Sequence, residues 1–213
     1  MNTRKVTKPL LRGYFHEWMF FISVGACIPL IANSTNSIEL AATIVYSMGV
    51  CMMFGFSALY HRVDWRSRVL TIMRRLDHSA IFVMIAGSFT PICLLVLPGD
   101  TGIQLLFIIW IIAGIGILQT VLFTETPRLI RAGIYLIAGY IAIPYLSVMF
   151  SVMSMTNFIL TTAGGTIYTV GAIGYGFQFP DISPKYFGYH EFFHILVSIA
   201  AVLHFIVIYS IVG

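Results

Sequence analysis

Seven long apolar runs constrain this 213-residue sequence more than any other feature. Each run is close to the ~20 residues that an α-helix needs to cross the hydrocarbon core of a membrane. The runs cover residues 15–32, 38–60, 76–97, 101–123, 132–150, 157–177 and 189–212. Membrane-spanning β-strands are shorter and alternate between apolar and polar residues, so these runs exclude a barrel. The sequence therefore predicts an all-α, polytopic membrane protein with seven transmembrane helices in a single domain, residues 1–213.

The composition supports this class and excludes several others. Hydrophobic residues make up 59% of the chain, whereas only 9% of its residues are charged. Soluble domains carry about 25% charged residues, so this chain has too few charges to cover a surface that faces water. The composition also argues against a disordered chain, a secreted disulfide scaffold and a nucleic-acid-binding protein. We expect membrane lipids as partners, and no nucleic acid.

The basic residues are sorted between alternate connecting segments. The first, third and fifth segments, residues 33–37, 98–100 and 151–156, contain neither lysine nor arginine. All twelve lysine and arginine residues lie in the N-terminal tail or in the second, fourth and sixth segments: Arg4, Lys5, Lys8, Arg12, Arg62, Arg66, Arg68, Arg74, Arg75, Arg128, Arg131 and Lys185. Basic residues flank the cytoplasmic ends of membrane helices. The sorting predicts a cytoplasmic N-terminus and a C-terminus outside.

Two local features carry predictions of their own. The second segment, residues 62–75, interleaves apolar residues with five arginines, which fits either a short amphipathic helix at the membrane surface or a basic loop. Pro91 and Pro144 lie within the third and fifth runs and are expected to kink those helices. The glycines of the sixth run are expected to allow close helix packing.

Ionisable side chains within a membrane are costly, so each one is a candidate functional residue. His61 ends the second predicted helix, Asp77 begins the third, and His190 and His194 lie in the first turns of the seventh. The predicted topology puts all four at one depth, near the cytoplasmic side. Ser57 lies one helical turn before His61 and on the same face. Three histidines with an open fourth position form the ligand set of a catalytic zinc site, so the sequence predicts zinc as a cofactor.

A carboxylate beside such a site can hold a water molecule and take its proton. Asp77 is the candidate for this role. Residues 190–194 also match the HExxH pattern of zinc metalloproteases, in which the glutamate is the general base. In that alternative Glu191, rather than Asp77, accepts the proton. HExxH helices belong to soluble catalytic domains or intramembrane proteases, and the sequence favours the protease interpretation less.

The other histidines are expected to have different roles. His78 follows Asp77 but points about 100° away from it, so we expect it to face a neighbouring helix or the membrane interface. His204 lies more than two turns beyond His194 and is expected to serve in packing or hydrogen bonding. His16 lies near the cytoplasmic start of the first helix, where it could border the site, and the sequence favours ordinary interfacial solvation over that position.

Four segments of the sequence resemble the hemolysin III family, the bacterial relatives of the adiponectin and progestin receptors within a wider group that includes the alkaline ceramidases. The segments are SALYH at residues 57–61, RLDHS at 75–79, GSFTP at 87–91 and HEFFH at 190–194. The resemblance extends from about Ser57 to the C-terminus, and the first helix matches more weakly. The ordered set of SxxxH, Asp and HxxxH is specific, whereas no single piece of it is.

This resemblance implies a seven-helix protein of the bacterial inner membrane in which His61, His190 and His194 hold zinc. It also implies that Asp77 contacts the water on the zinc and that Ser57 completes the site. In the receptor and ceramidase branches the site is linked to hydrolysis of lipid amides, whereas bacterial members carry a historical hemolysin name and are connected with membrane-lipid homeostasis. We expect no soluble extension like that of the animal receptors, and hence no protein hormone as a partner.

The sequence is compatible with three functions. The first is a zinc-dependent hydrolase that acts on an acyl amide or ester bond of a membrane lipid, with Asp77 as base and Ser57 as hydrogen-bond donor. The second is a non-catalytic sensor or homeostasis protein in which zinc is structural. The third is a cytolytic hemolysin. A conducting pore needs polar residues along its path, and the outer halves of these helices are nearly uncharged, so the third function is favoured least.

Overall fold

The computed structural model describes residues 9–183 and 185–213 as a bundle of long helices. Arg4, Lys5 and Lys8, which contribute to the predicted charge sorting, lie outside the described residues. The helices are α1 (Tyr14–Ala32), α2 (Ser37–Arg62), α3 (Ser67–Leu95), α4 (Gly99–Leu122), α5 (Arg128–Tyr140), α6 (Leu146–Val152), α7 (Met155–Phe177) and α8 (Tyr189–Ser210).

The predicted all-α class is confirmed. Within the two described ranges, the only β-type pairing is an isolated bridge between Ser183 and Phe187. Six segments are long and apolar enough to cross a membrane, namely α1, α2, α3, α4, the combined α5–α6 segment and α8. The seventh predicted span is present as the helix α7, but its threonine, glycine and tyrosine residues lower its mean hydropathy.

Large apolar side chains cover the outside of the bundle. Phe21, Phe107 and Phe177, on three different helices, have exposed fractions of 67%, 68% and 71%. Soluble proteins rarely expose contiguous apolar surface, because its contact with water is unfavourable. Together with the six long apolar segments, this surface identifies a multi-pass membrane protein.

The helix bounds depart from the predicted spans mainly at two places. The helix α3 begins at Ser67 rather than at residue 76, so most of the segment 62–75 forms its first turns. That segment is therefore neither a separate surface helix nor a loop, since arginine has a high helix propensity and α3 runs without a break from Ser67 to Leu95, through Pro91. The fifth span is broken rather than kinked. The helix α5 ends at Tyr140, and a 3₁₀ turn that contains Pro144 leads into α6, as expected where proline removes a backbone N–H donor.

The helices define two ends of the bundle. The basic end is the one at which α1, α3, α5 and α8 begin, and the neutral end is the one at which α2, α4 and α7 begin. Contacts join the starts of α1 and α8, since the backbone N–H of Leu10 donates to the carbonyl group of Lys185 at 3.0 Å. The end of α2 lies there too, because Arg62 pairs with Glu17 at 2.8 Å. All described lysine and arginine residues are at the basic end.

Glycine at the start of α1 brings that helix against the end of α2. Gly13 has a φ of 84°, in the left-handed region that favours glycine. A Cβ atom at this position would lie 2.8 Å from the Cβ of His61. The absence of a side chain at residue 13 therefore lets α1 approach the histidine that ends α2.

The main core lies between α1, α2, α3 and α8. Its buried members are Cys27, Leu30, Tyr46, Val50, Met53, Phe54, Ala80, Met84, Val197, Ala201, Ile208 and Val212. The helix α7 packs closely on α8 at Gly164, where a Cβ atom would lie 2.4 Å from Nε2 of His204. The predicted close packing by a glycine of this helix is confirmed.

Candidate metal centre

Three histidines from two helices converge at the basic end. His61 lies in the last turn of α2, and His190 and His194 lie one turn apart at the start of α8. One ring nitrogen from each lies within 4.8 Å of the other two, and the Nε2 atoms of His61 and His190 are 3.0 Å apart. His61 and His194 are buried, and His190 is partly buried. The structure thus brings the three predicted ligands together in a group that could hold a metal ion.

The donor set and its spacing fit a zinc ion. Zinc binds imidazole nitrogen at about 2.0–2.1 Å, which separates tetrahedral ligands by about 3.3 Å. The 3.0 Å separation between His61 and His190 is close to that value. Nδ1 of His194 is also buried and has no hydrogen-bond partner among the described residues. A buried polar atom without a hydrogen-bond partner is costly, and a metal ion held by His194 would give this ring a bonding partner.

Asp77 and Ser57 lie beside the three histidines, as the sequence predicts. Oδ2 of Asp77, on α3, is 3.8 Å from Nε2 of His61, and both residues are buried. Ser57, also buried, interacts through its hydroxyl group with the carboxyl group of Asp77. The hydroxyl oxygen also lies 2.8 Å from Nδ1 of His16. A single carboxylate, held by a serine, therefore faces the group of three histidines.

His16 belongs to the same polar cluster, which is the less favoured of the two positions that the sequence offered for it. It is 2% exposed, so the expected interfacial solvation is wrong. Its ring stacks on the ring of His194 with a centroid distance of 3.6 Å and an interplanar angle of 2°. Phe54 packs against its edge at 5.1 Å. His16 therefore fixes the orientation of His194 while it contacts Ser57. The available signal was its position at the same helix-end level as the other histidines.

Glu191, the glutamate of the HExxH pattern, is used elsewhere. Its side chain is fully buried, and its Oε1 atom forms an ion pair with Arg12. Its Oε2 atom accepts a hydrogen bond of 2.8 Å from the backbone N–H of Gly188, which caps the start of α8. Because both carboxylate oxygens have partners away from the histidines, the geometry favours Asp77 over Glu191 as a base.

The two remaining histidines lie outside the group of three. His78 faces a neighbouring helix, as one of the two expected outcomes, and its Nε2 atom is 3.1 Å from a guanidinium nitrogen of Arg131 on α5. His204 donates a hydrogen bond of 3.2 Å to the carbonyl group of Thr161 on α7. The expected hydrogen-bonding role of His204 is therefore confirmed.

A polar cavity of about 460 Å³, here called the vestibule, reaches the group of three histidines from the basic end. It is lined by Arg12, Tyr60, His61, Leu70, Arg74, His78, Glu125, Thr126, Arg128, Arg131, Tyr175, Tyr189 and His190. The vestibule opens to the surface, since the side chain of Glu125 is 91% exposed. Four arginines make this cavity strongly basic.

A second cavity of about 400 Å³, here called the chamber, extends from the same histidines toward the middle of the bundle. Its apolar lining includes Met53, Ile81, Met84, Ile85, Phe89, Leu136, Leu146, Met149, Phe193 and Val197. Tyr140 and Ile143 also line it and are 45% and 51% exposed at the outside of the bundle. The vestibule and the chamber share His61 and His190, so the candidate metal centre lies at the junction of a polar and an apolar cavity.

The sequence is similar to a known family of membrane proteins and to several of its relatives. The sequence matches the family model described as Haemolysin-III related over residues 4–205. It is 32% identical to Hemolysin-3 of Bacillus cereus over 176 residues, which cover 80% of this chain and 79% of that protein. It is 25% identical to the monocyte to macrophage differentiation factor of Homo sapiens over 202 residues, 92% of this chain and 81% of that protein. An adiponectin receptor protein of Drosophila melanogaster is 27% identical over 203 residues, 85% of this chain and 46% of the receptor.

Proposed function

The chain belongs to the Haemolysin-III related family, and on this premise we propose that it is a zinc-dependent hydrolase of membrane lipids. It would cleave an acyl amide or ester bond and serve membrane-lipid homeostasis in the bacterial inner membrane. The observation that carries this proposal is the position of the three histidines at the junction of the vestibule and the chamber. A lipid is amphiphilic and suits this junction, because its acyl chain fits the apolar chamber and its polar part fits the vestibule.

His61, His190 and His194 would hold the zinc ion. When bound, zinc supplies Lewis acidity, which polarises a carbonyl group and lowers the pKa of a coordinated water molecule. Imidazole must be neutral to bind a metal, and three clustered imidazoles repel one another when they are protonated. The same clustering therefore favours the state that the ion requires.

Asp77 is the proposed base, because its carboxylate faces the histidines at 3.8 Å. It accepts a proton from the attacking water molecule as the new C–O bond forms at the carbonyl carbon. When the C–N or C–O bond to the leaving group breaks, Asp77 returns the proton to the leaving amine or alcohol. The products are a fatty acid and an amine or an alcohol. Ser57 holds the Asp77 side chain in position through its hydroxyl group.

The direct test of this proposal is fatty-acid release by the purified full-length chain. The chain is incubated with ceramides, phospholipids and acylglycerols, and free fatty acid is measured by mass spectrometry. We expect release from at least one lipid class, loss of release on chelation, and recovery when zinc is added. If no lipid of the panel gives zinc-dependent release of fatty acid, the proposal of a hydrolase is contradicted.

We also propose that α7 crosses the membrane, which gives seven spans with the N-terminus in the cytoplasm. Two observations support this topology. The starts of α1 and α8 share the basic end, which requires an even number of crossings before α8 and, with α8 itself, an odd total. The described basic residues also lie at that end. A phosphatase fused after Gly213 should be active outside the cell, and one fused after Lys185 should be silent. The reverse pattern would contradict the orientation.

A second candidate function is a non-catalytic membrane sensor with structural zinc. The candidate centre joins α2 to α8 directly, and Asp77 and His16 extend it to α3 and α1. A metal that binds only the folded state stabilises the whole bundle. This candidate predicts a zinc-dependent rise in the thermal midpoint without any lipid turnover. A cytolytic role has only the name of the Bacillus cereus relative in its favour.

A further inference from the structure

We infer that the vestibule recognises a phosphate group, so that the lipid bound at this site carries a phosphate-bearing headgroup. The inference rests on the proposed function for the location of the acyl chain in the chamber. The recognition of phosphate depends on the charges of the vestibule alone, and these can be tested without any turnover.

Two of the four vestibule arginines are already neutralised by carboxylates. Arg12 forms an ion pair with the buried Glu191. Arg74 forms a hydrogen-bonded ion pair of 2.5 Å with Glu125 and also donates to the carbonyl group of Thr124 at 2.8 Å. Neither charge is therefore left for a ligand unless its present partner is displaced.

The other two arginines, Arg128 and Arg131, have neutral hydrogen-bond and ring partners, while the charge of Arg131 also acts on the carboxyl group of Asp77 without a salt bridge between them. Arg131 donates to the carbonyl group of Thr126 at 2.7 Å and lies 3.1 Å from Nε2 of His78. The guanidinium group of Arg128 lies over the ring of Tyr189 at 5.2 Å and faces the ring of Tyr175 at 5.9 Å. Neither arginine forms a salt bridge with a carboxylate of residues 9–183 or 185–213.

Two guanidinium groups without a salt bridge, in one cavity, complement a phosphate group in charge and geometry. Guanidinium presents parallel N–H donors that bind two phosphate oxygens at once, which makes arginine a preferred partner of phosphate. Glu125 is the carboxylate that lines the vestibule, and Arg74 neutralises it. The vestibule therefore has an excess of positive charge that a dianionic or monoanionic headgroup would offset.

The position of Arg131 connects this charge to the candidate metal centre. Arg131 lines the vestibule and the chamber, as do His61 and His190. It is only partly exposed, in contrast to Arg66 and Arg68, which are exposed at the same end and line neither cavity. Ordinary positive charge at a cytoplasmic helix end stays in solvent, as at Arg68. A phosphate bound at Arg131 would lie beside the histidines, with the acyl chain continuing into the chamber.

The test measures binding rather than hydrolysis. The full-length chain in an uncharged detergent is titrated with ether-linked dihexylglycerol phosphate and with ether-linked dihexylglycerol, neither of which has an acyl bond to cleave. We expect the phosphate-bearing lipid to bind at least about tenfold more tightly, as charge-assisted hydrogen bonds to phosphate require. In Arg131→Gln this preference should fall to about twofold or less, and Arg128→Gln should reduce it in part.

Arg68→Gln is the matched control, because it removes the same charge from the same end of the bundle without touching the vestibule. It should keep the full preference. Size-exclusion chromatography and helical circular dichroism show whether each variant is folded. Arg131→Lys keeps the charge but loses the paired donors, so it should retain an intermediate preference for the phosphate-bearing lipid. Equal affinity for the two lipids, or an equal loss in Arg68→Gln and Arg131→Gln, would overturn the inference.

Inorganic phosphate distinguishes a headgroup from a free anion. If it competes at the same concentration as the lipid phosphate, the site binds phosphate alone and the lipid inference is overturned. The proposed function fails separately: a phosphate preference that depends on Arg131, together with no hydrolysis of any lipid, would remove the enzyme and keep the headgroup site. Hydrolysis without a phosphate preference would keep the enzyme and remove the headgroup site.

Discussion

The basic end and the neutral end are built from the same helices but have different chemistry. Five of the six histidines are near the basic end, together with the buried carboxyl groups of Asp77 and Glu191. Among the described residues, the charged ones of the neutral end are Glu39, which is partly exposed, and Asp100, which is exposed. Burial of ionisable groups is costly in a membrane protein. The chain therefore buries ionisable groups at one end, around a candidate metal centre.

The threonines and the histidine of α7 and α8 in the neutral half are hydrogen-bonded within one helix or across one packing contact. The hydroxyl groups of Thr161 and Thr162 donate to carbonyl groups one turn earlier in α7, at 2.8 Å and 2.9 Å. His204 donates to the carbonyl group of Thr161. These contacts stabilise packing, and none of them gathers several titratable side chains in one place.

Removal of the metal ligands should have the largest effect. We expect about one zinc ion per wild-type chain, and we expect the double substitution His190→Ala/His194→Ala to abolish zinc binding and any lipid hydrolysis, because two of three ligands are lost. Elemental analysis of the purified chains measures the zinc content. His204→Ala, which removes a histidine from the neutral half of the same helix, is the control and should keep its zinc. Equal zinc content in the double variant and the wild type would contradict the assignment.

Loss of the proposed base should lower turnover but keep the metal. Asp77→Asn preserves the shape of the side chain and removes its ability to accept a proton, so we expect hydrolysis to fall by about 10²–10⁴-fold. The zinc content should stay near the wild-type value. Zinc-dependent hydrolysis at an undiminished rate in this variant would show that Asp77 is not the base.

Breaking the buried ion pair should cost stability. In Glu191→Gln the charge of Arg12 loses its partner, and we expect the free energy of unfolding to fall by about 2–3 kcal/mol, below the full cost for a buried pair because Arg12 is 20% exposed. Thermal unfolding in detergent measures the change. Glu39→Gln, at the neutral end, should change the thermal midpoint less. A folded, equally stable Glu191→Gln chain that has lost all hydrolysis would instead favour Glu191 as the base.

The smallest effect is expected at the packing contact between α7 and α8. Gly164→Ala places a Cβ atom 2.4 Å from Nε2 of His204, so we expect a loss of about 1–3 kcal/mol in stability. Gly165→Ala is the matched control, because a Cβ atom there meets nothing within 4 Å. Thermal midpoints of the two variants compare them directly, and zinc content should be unchanged in both. A more stable Gly164→Ala variant would contradict the packing role.

Much of this fold could be predicted from the sequence, because the membrane imposes one length and one polarity on each span. Apolar runs do not show where a helix begins outside the membrane. The arginines before residue 76 are polar enough to end the run and still form the first turns of α3. Pro144 was a visible signal for a distortion, but only the backbone shows that the distortion is a complete break.

The candidate site was predictable where helix spacing and topology determine which side chains meet. His61, His190 and His194 follow from helix direction and from a spacing of four residues. For His16 the sequence favoured solvation over a place beside the site, because its stacking on His194 depends on how closely α1 approaches the end of α2. The capping role of Glu191 was easier to predict, since an acidic residue in the third position of a helix is a typical capping residue.

The most direct test of the central claim is an anomalous difference map from crystals of the purified chain, measured on both sides of the zinc absorption edge. We expect one strong peak within bonding distance of a ring nitrogen of each of His61, His190 and His194. Three imidazoles without a shared peak, or a zinc peak at another position, would contradict it.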